Sequence, residues 1–294
     1  MNNSPDISII ITTYNGEKYI AETIGTVQAQ TYPNWELIIV DDGSTDTTCD
    51  IIRSVTDPRI QLVEAGRVGI NGKIKNIGLA KTSGAFIAFI DHDDLWHPAK
   101  LERQMQALKE YPEAGYCLCG GYNFRISGDP VDYFYRQQQG TRVDNLFISI
   151  FKSEVAVWTQ ALLVRRECLT KIGPFNETGV FADPEFIFRL AFHHKAVLLY
   201  EPLMYHRLHE TNYTIVNWEA SHKEGIAVIK QYKSGKMLTQ DLSRQVLFKS
   251  YIHFGEKCLV RKRRGKAIQS FFRAWLQKPL NIVPFKKTIK ALIR

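Results

Sequence analysis

The chain has 294 residues, of which 45% are hydrophobic, 12% aromatic and 23% charged. Those proportions exclude disordered, collagen-like and low-complexity proteins, and the length suffices for a sizeable core. The formal charge of +8 joins two unlike parts: Lys223 to Arg294 holds 18 Lys/Arg against 3 Asp/Glu, a net of +15, and residues 1–222 carry −7. An acidic body with a basic tail removes overall charge as an argument for nucleic acid.

The first hundred residues alternate strand and helix signals. Ile7–Thr12 is a β-branched run read as a buried strand. Glu17 to Gln30 places Ile20, Ile24 and Val27 at helical spacing, with acids near its start to suit the helix dipole. Trp35–Val40 is a second buried strand, followed by Asp41-Asp42-Gly43-Ser44, where Ser44 or Thr45 caps a helix running to about Ser54. Ile60–Val63 is a third strand, Asn71–Lys81 a helix, and Ala85–Ile90 a fourth strand entering Asp91-His92-Asp93-Asp94. Near-continuously apolar strands separated by helices predict a parallel sheet covered on both faces.

Pro98 opens a helix to about Glu110, and the pattern then changes. Short strands are expected at 116–121, 131–136 and 155–164, with helices near 144–152 and 183–193. From Trp218 onward the pattern is helical and basic, and Phe285, Ile289, Leu292 and Ile293 fall on one side of a final helix. Such a helix suits an anionic membrane surface, and equally a solvated face packed on the acidic body. No nucleic-acid readout motif accompanies the charge. Five scattered cysteines match no zinc spacing and are expected as free thiols. No leader pattern is visible and no apolar run approaches about 18 residues, so the expectation is a cytoplasmic chain.

Ligands of parallel α/β sheets bind outside the carboxyl ends of the strands. Three polar clusters fall at those ends: Thr12-Thr13-Tyr14-Asn15, Asp41-Asp42, and Asp91 to Asp94. Asp91 and Asp93, separated by one residue, can converge on a hard divalent cation. The same residues would also serve as a polar strand-to-helix turn with Asp94 as a cap. Asp41-Asp42 offers acceptors for a base N–H or ribose hydroxyls, Tyr14 a stacking face, and Thr12 and Asn15 hydrogen bonds. No dinucleotide-type glycine fingerprint follows the first strand, and no P-loop motif occurs.

Ser8–Asn15, Gln30–Asp46, Lys75–Ala80 and Gly84–Asp94 together resemble successive blocks of the family 2 glycosyltransferases, a likeness extending over residues 6–215. The resemblance implies a GT-A fold, an α/β parallel or mixed sheet flanked by helices. It divides into a nucleotide-sugar-binding half (1–97) and an acceptor-binding half (98–217), with 218–294 left as a basic helical extension. It assigns Thr12, Tyr14 and Asp42 to the base and ribose, and Asn15, Glu17 and Asp41 complete that donor-facing set. Asp91 and Asp93 would hold the metal (Mn²⁺ or Mg²⁺) and diphosphate. Lys75 stands where the family commonly has Arg, which keeps the cation but not the bidentate fork.

Ile172–Glu177 followed by Phe181–Leu190 resembles the segment that carries the family's catalytic base. Asp183 then matches the base, here expected at a helix N-cap, with Glu185 as the following acid and Arg189 in register. Ala182 replaces the usual Glu, and Pro184 follows directly. His209 is the candidate metal or phosphate contact, ahead of His206, and Arg207 a phosphate partner. Trp96 and Trp158 are expected to line the sugar or acceptor pocket. The implied activity is inverting transfer from a nucleotide-diphosphate sugar, UDP-linked, to a hydroxyl of a glycan or lipid-linked acceptor at the inner face of the cell membrane. The alternative is a non-catalytic nucleotide-sugar-binding protein of the same fold.

Overall fold

The computed structural model describes residues 4–125, 129–135, 137–210 and 212–293. Arg136 and Arg294, and the side chains of Leu292 and Ile293, lie outside the described set. The chain forms two compact units, the residues up to Ile150 with Val155–Val216, and Phe151–Glu154 with Asn217–Arg294.

The first unit opens with β1 (Ile7–Thr13), α1 (Ile20–Gln28), β2 (Trp35–Asp41), α2 (Thr48–Arg53), β3 (Ile60–Glu64), α3 (Asn71–Leu79) and β4 (Phe86–Asp91). Then come β5 (Leu95–Trp96), α4 (Lys100–Glu110), β6 (Ala114–Phe124), β7 (Pro130–Tyr133), β8 (Thr141–Asp144) and α5 (Phe147–Phe151). It closes with β9 (Leu162–Arg165), α6 (Arg166–Ile172), α7 (Ala182–His193), β10 (Lys195–Arg207) and the short α8 (Tyr213–Val216). One mixed sheet runs β3-β2-β1-β4-β9-β6-β10-β5, with β7 on β6 and β8 on β10. Strands β3, β2, β1 and β4 are mutually parallel. β9 is antiparallel to both β4 and β6 and joins the two halves of the sheet.

The apolar runs explain the sheet. Ile7, Ile9, Ile10 and Ile11 of β1, and Leu37 to Val40 of β2, are buried on both faces, as a helix-covered parallel sheet requires. Register then decides where the polar clusters go. Thr12 of β1 pairs with Asp91 of β4, and Thr13 pairs with Asp41 of β2. The chain order reverses between β1 and β4, so these residues meet at a topological switch point.

Several local expectations change. α1 begins at Ile20, not Glu17, because the Tyr19 and Ile20 amides both turn back to the Gly16 carbonyl. α2 begins at Thr48, not near Ser44, because the Ser44 hydroxyl bonds Asp41 and does not cap a helix. Of 155–164 only the end is strand, and Thr159–Ala161 forms a 3₁₀ turn. Helix α6 and the 13-residue β10 were not expected. Glu201-Pro202 interrupts the apolar run of β10, and the register against β6 slips there, so the strand reads as two fragments.

The second unit contains α9 (Trp218–Ser234), α10 (Gln240–Val260), α11 (Arg264–Gln277) and α12 (Val283–Ile293). Its core gathers Trp218, Phe254, Cys258, Ala267, Phe271 and Ala291. Gly255 is required there, since a Cβ would collide with the Phe271 ring. Glu219 accepts from Lys223, Arg263 and Lys266 at 3.2, 2.6 and 2.6 Å, which ties three of the basic residues to one acid. Among the described residues no helix is long and apolar enough to cross a membrane. All five cysteines are free.

Phe186 of α7 stacks on Phe175 at 4.0 Å and meets Phe89 of β4 at 6.1 Å, fully buried. Phe186→Ala should therefore lower unfolding free energy by about 3–5 kcal/mol in urea titrations. A loss below about 1 kcal/mol would contradict this packing.

Candidate active site

The chemistry-bearing residues converge at the carboxyl edge of β1, β2 and β4. Just past β4, oxygens of Asp91, Asp93 and Asp94 lie within 4.8 Å of one another. The turn is clamped from α1, where the Thr23 hydroxyl donates to the carbonyls of His92 and Asp94 at 2.8 and 2.9 Å. Burial pushes Asp91 up to about 6, helped by the charges of Asp183 and Asp93 and opposed by Lys75. Burial, with the charges of Asp93 and Asp91, holds Asp94 well above the usual carboxylate range, against the hydrogen bond from the Arg207 amide. Burial would also raise Asp93, but hydrogen bonding from His209 and the nearby His92 outweigh it and lower its carboxyl.

Lys75, almost wholly buried on α3, joins this cluster to Asp183. Its ammonium donates to both Asp183 oxygens at 2.6 Å and sits 3.9 Å from Asp91 Oδ1. Burial alone would lower Lys75, yet the Asp183 and Asp91 carboxylates overcome it and raise its pKa. Asp183 lies in the first turn of α7. It is not the N-cap, a place held by Phe181 without a side-chain bond. The carboxylate turns to Lys75 because a buried ammonium needs a counter-charge more than a helix end needs a cap. Pro184 is tolerated because first-turn amides have no intrahelical acceptor. Glu185 faces elsewhere, paired with Arg189 at 2.7 Å, and Arg189 grips the carbonyls of Ile172 and Pro174.

At the other end of the edge, Asp42 accepts from the Val68 and Gly69 amides at 2.5 and 3.0 Å and from Arg67. The Arg67 guanidinium lies 3.8 Å from the centre of the exposed Tyr14 ring. Asp41 is spent on its own turn, accepting from Gly43 N, Ser44 N and Ser44 Oγ at 2.9, 2.8 and 2.5 Å. Asn15 accepts from Thr45 N at 2.9 Å, and Glu17 from Thr47 N at 3.1 Å. These three therefore brace the loops beside the edge, and Tyr14 is exposed at it, linked to the buried Asp42 through Arg67.

His209 is brought to the cluster, its Nε2 2.7 Å from Asp93 Oδ2. Arg207 is not free for phosphate: its guanidinium is buried, donating to Asp93 O at 2.9 Å and to Glu22 at 2.6 Å. Its backbone N–H donates to Asp94 Oδ1 at 2.9 Å, so the residue supports the acidic turn. His206 lies 4.5 Å from Trp158, and burial pushes it down to about 4. Trp158 stacks on Phe134 at 5.5 Å. Trp96 lines no surface. It is buried under Lys100, 3.9 Å from its ring, and donates to Gln160 O at 3.0 Å.

Gln160, Arg67 and Asn71, whose amide donates to Asp183 Oδ2 at 3.4 Å, have no role in the sequence reading, and Asp94 appears there only as a turn cap. Gln160, on the 3₁₀ turn, donates to Asp91 Oδ2. No local pattern announces it.

The donor set fits a divalent cation. Asp94 Oδ2 is buried without a hydrogen-bond partner, and three converging carboxylates supply the hard oxygens that Mg²⁺ and Mn²⁺ accept. Such crowded carboxylates repel unless a cation compensates.

A sheet switch point carrying an acidic metal-type cluster and a facing carboxylate defines the GT-A class of nucleotide-sugar-binding folds. Residues 8–169 match the family model described as Glycosyl transferase family 2, and the chain belongs to that family. An uncharacterized glycosyltransferase of Nostoc sp. is 30% identical over 264 residues, 83% of this chain and 81% of that protein. A UDP-Glc:alpha-D-GlcNAc-diphosphoundecaprenol beta-1,3-glucosyltransferase of Escherichia coli is 40% identical over 102 residues, 35% of this chain and 40% of that protein. Among solved structures, S. aureus TarS 1-349 in complex with UDP-GlcNAc superposes with a TM-score of 0.69 at 18% identity, covering 97% of this chain and 89% of that one. A mannosyltransferase from Pyrobaculum calidifontis in complex with GDP-Man and Mn²⁺ superposes at 0.61 and 18% identity, covering 98% and 80%. These likenesses establish the fold.

Two measurements check the electrostatics. Asp91 holds its proton up to about pH 6 in the fold, so in cation-free protein its contribution to stability falls as pH rises toward that value. A cation must displace the proton. The rise in Tm on adding Mn²⁺ should therefore be larger above pH 6 than below it, and should disappear in Asp91→Asn. Separately, Lys75→Met should cost about 3–5 kcal/mol by stranding buried carboxylates. Adding Asp183→Leu to that variant should restore part of the loss, and a strictly additive double variant would contradict the pair.

Proposed function

We propose that the chain is an inverting glycosyltransferase that moves a sugar from a nucleotide-diphosphate donor, UDP-linked, to a hydroxyl of a glycan or lipid-linked acceptor. One observation carries the reading: Asp183 stands beside a three-carboxylate cluster at the switch point, bridged to it by the buried ammonium of Lys75. The UDP and lipid-linked elements are supported by the names of the E. coli and S. aureus proteins.

In this reading Tyr14 stacks on the base and Asp42 accepts from the base or ribose, with Thr12 alongside. Arg67, now on Asp42, is the side chain that must yield to the base. Asp91, Asp93 and Asp94 would hold a divalent cation, with His209 orienting Asp93. Such an ion supplies Lewis-acid neutralisation of the departing diphosphate. Asp183 removes the proton from the acceptor hydroxyl as its oxygen bonds to the anomeric carbon and the bond to the diphosphate oxygen breaks. In-line displacement inverts that carbon. Lys75 holds the base in place and compensates its charge until the acceptor arrives. A lipid-linked acceptor would place the reaction at the inner face of the cell membrane.

Asp183→Asn should reduce transfer about 10²–10⁴-fold while donor affinity, measured by calorimetry with UDP-sugars and Mn²⁺, stays within a few-fold. Asp93→Ala should remove metal-dependent donor binding itself. Full activity in Asp183→Asn would exclude it as base. Donor binding without transfer or hydrolysis by the wild type would favour the non-catalytic alternative, to which Ala182 and Pro184 are the sequence's own pointer.

A further inference from the structure

The helical unit carries a surface that the transfer chemistry does not use. Helix α11 buries Ala267, Ser270, Phe271 and Ala274, yet turns Phe272, Trp275 and Leu276 outward. Positions i, i+3 and i+4 share one stripe of a helix, and Phe272 stacks on Trp275 at 5.8 Å. The connection to α12 adds Leu280, 99% exposed, and Ile282, 61% exposed, and α12 adds Phe285 at 65%. An open groove of about 550 Å³ runs between the two helices, lined by Ile268, Phe271, Phe272, Trp275, Pro284 and Phe285. Contiguous exposed apolar surface with an aromatic content of this kind marks an interaction site.

The chain from Arg264 to Lys290 holds no Asp or Glu, so α11, α12 and their connection carry charge of one sign. Arg263 and Lys266 are tied to Glu219, and Lys287 to Glu256. Lys262, Arg264, Arg273, Lys286 and Lys290 are exposed, and no carboxylate among the described residues pairs with them. A second copy of the chain would bring these cations against one another. A nucleic acid would leave Phe272, Leu276 and Leu280 in water. An anionic lipid surface satisfies both features, since aromatic and aliphatic side chains enter the headgroup boundary and lysines remain at its negative potential.

We propose that the aromatic and basic face formed by α11, α12 and their connection docks on an anionic phospholipid bilayer. The inference stands whichever sugar or acceptor the first unit uses, and binding is read without activity.

The test is flotation of the full chain with vesicles of phosphatidylglycerol in phosphatidylcholine, against vesicles of phosphatidylcholine alone. Binding should require phosphatidylglycerol and weaken with salt. Lys286→Glu with Lys290→Glu should lower partitioning about 25-fold or more, from about 1 kcal/mol for each cation lost. Phe285→Ser should lower it about tenfold or more. Bilayers of brominated lipid should quench tryptophan fluorescence in the wild type. In Trp275→Phe, a mild change at an exposed site, most of that quenching should vanish while binding persists. Equal binding to both vesicle types, no binding, or unchanged quenching in Trp275→Phe would overturn the proposal. So would sedimentation showing self-association that Phe285→Ser abolishes, because the face would then belong to a second copy.

Discussion

Everything at the strand edge is organised around a surplus of buried negative charge. Asp91, Asp93, Asp94 and Asp183 crowd one region, and a single buried ammonium, Lys75, touches two of them. Carboxylates removed from water at such spacing cannot all ionise without compensation. The fold answers in three ways: the ammonium, hydrogen bonds from His209 and the Arg207 backbone, and raised proton affinity at Asp91 and Asp94. The remaining imbalance is what suits the edge to a divalent cation.

The surrounding architecture serves that imbalance. Parallel pairing brings Thr12 level with Asp91 and Thr13 level with Asp41, so three clusters distant in sequence share one edge. Strand β9, antiparallel between β4 and β6, carries the 3₁₀ turn that aims Gln160 at Asp91. Trp96 and Lys100 lie beneath that turn, and the Gln104 amide donates to the Ala161 carbonyl at 2.8 Å. A buried lysine in the core, lowered by burial to about 8, thus supports the site at one remove.

The two ends of the edge differ in rigidity of purpose. The acidic turn is held by backbone and side-chain bonds from α1 and β10. The Tyr14 end is covered by Arg67, an exposed side chain from a loop flanked by Gly66 and Gly69, both at positive φ. Stacking and an ion pair with Asp42 keep Arg67 there. In the function proposed above, a donor base with its own stacking face and hydrogen bonds would exchange with it at little cost in protein structure.

Much of this was readable before any coordinates. Apolar β-branched runs force buried strands, and their alternation with helices forces parallel pairing, so the placement of Asp42, Asp91 and Asp93 at strand ends follows from pattern alone. The basic excess was likewise confined to residues 223–294 by counting. Tertiary structure decided what each polar residue does once there. Asp41, Glu17 and Asn15 share the edge's composition but are consumed by neighbouring turns, because their backbone positions bring loop amides within reach. Arg207 became a strut and Lys75 a bridge, since Asp93 and Asp183 lie roughly a hundred residues or more from them in sequence. Local sequence records which groups exist and which face of an element they occupy. Distances between groups on different elements arise only from packing, and electrostatics depends on those distances.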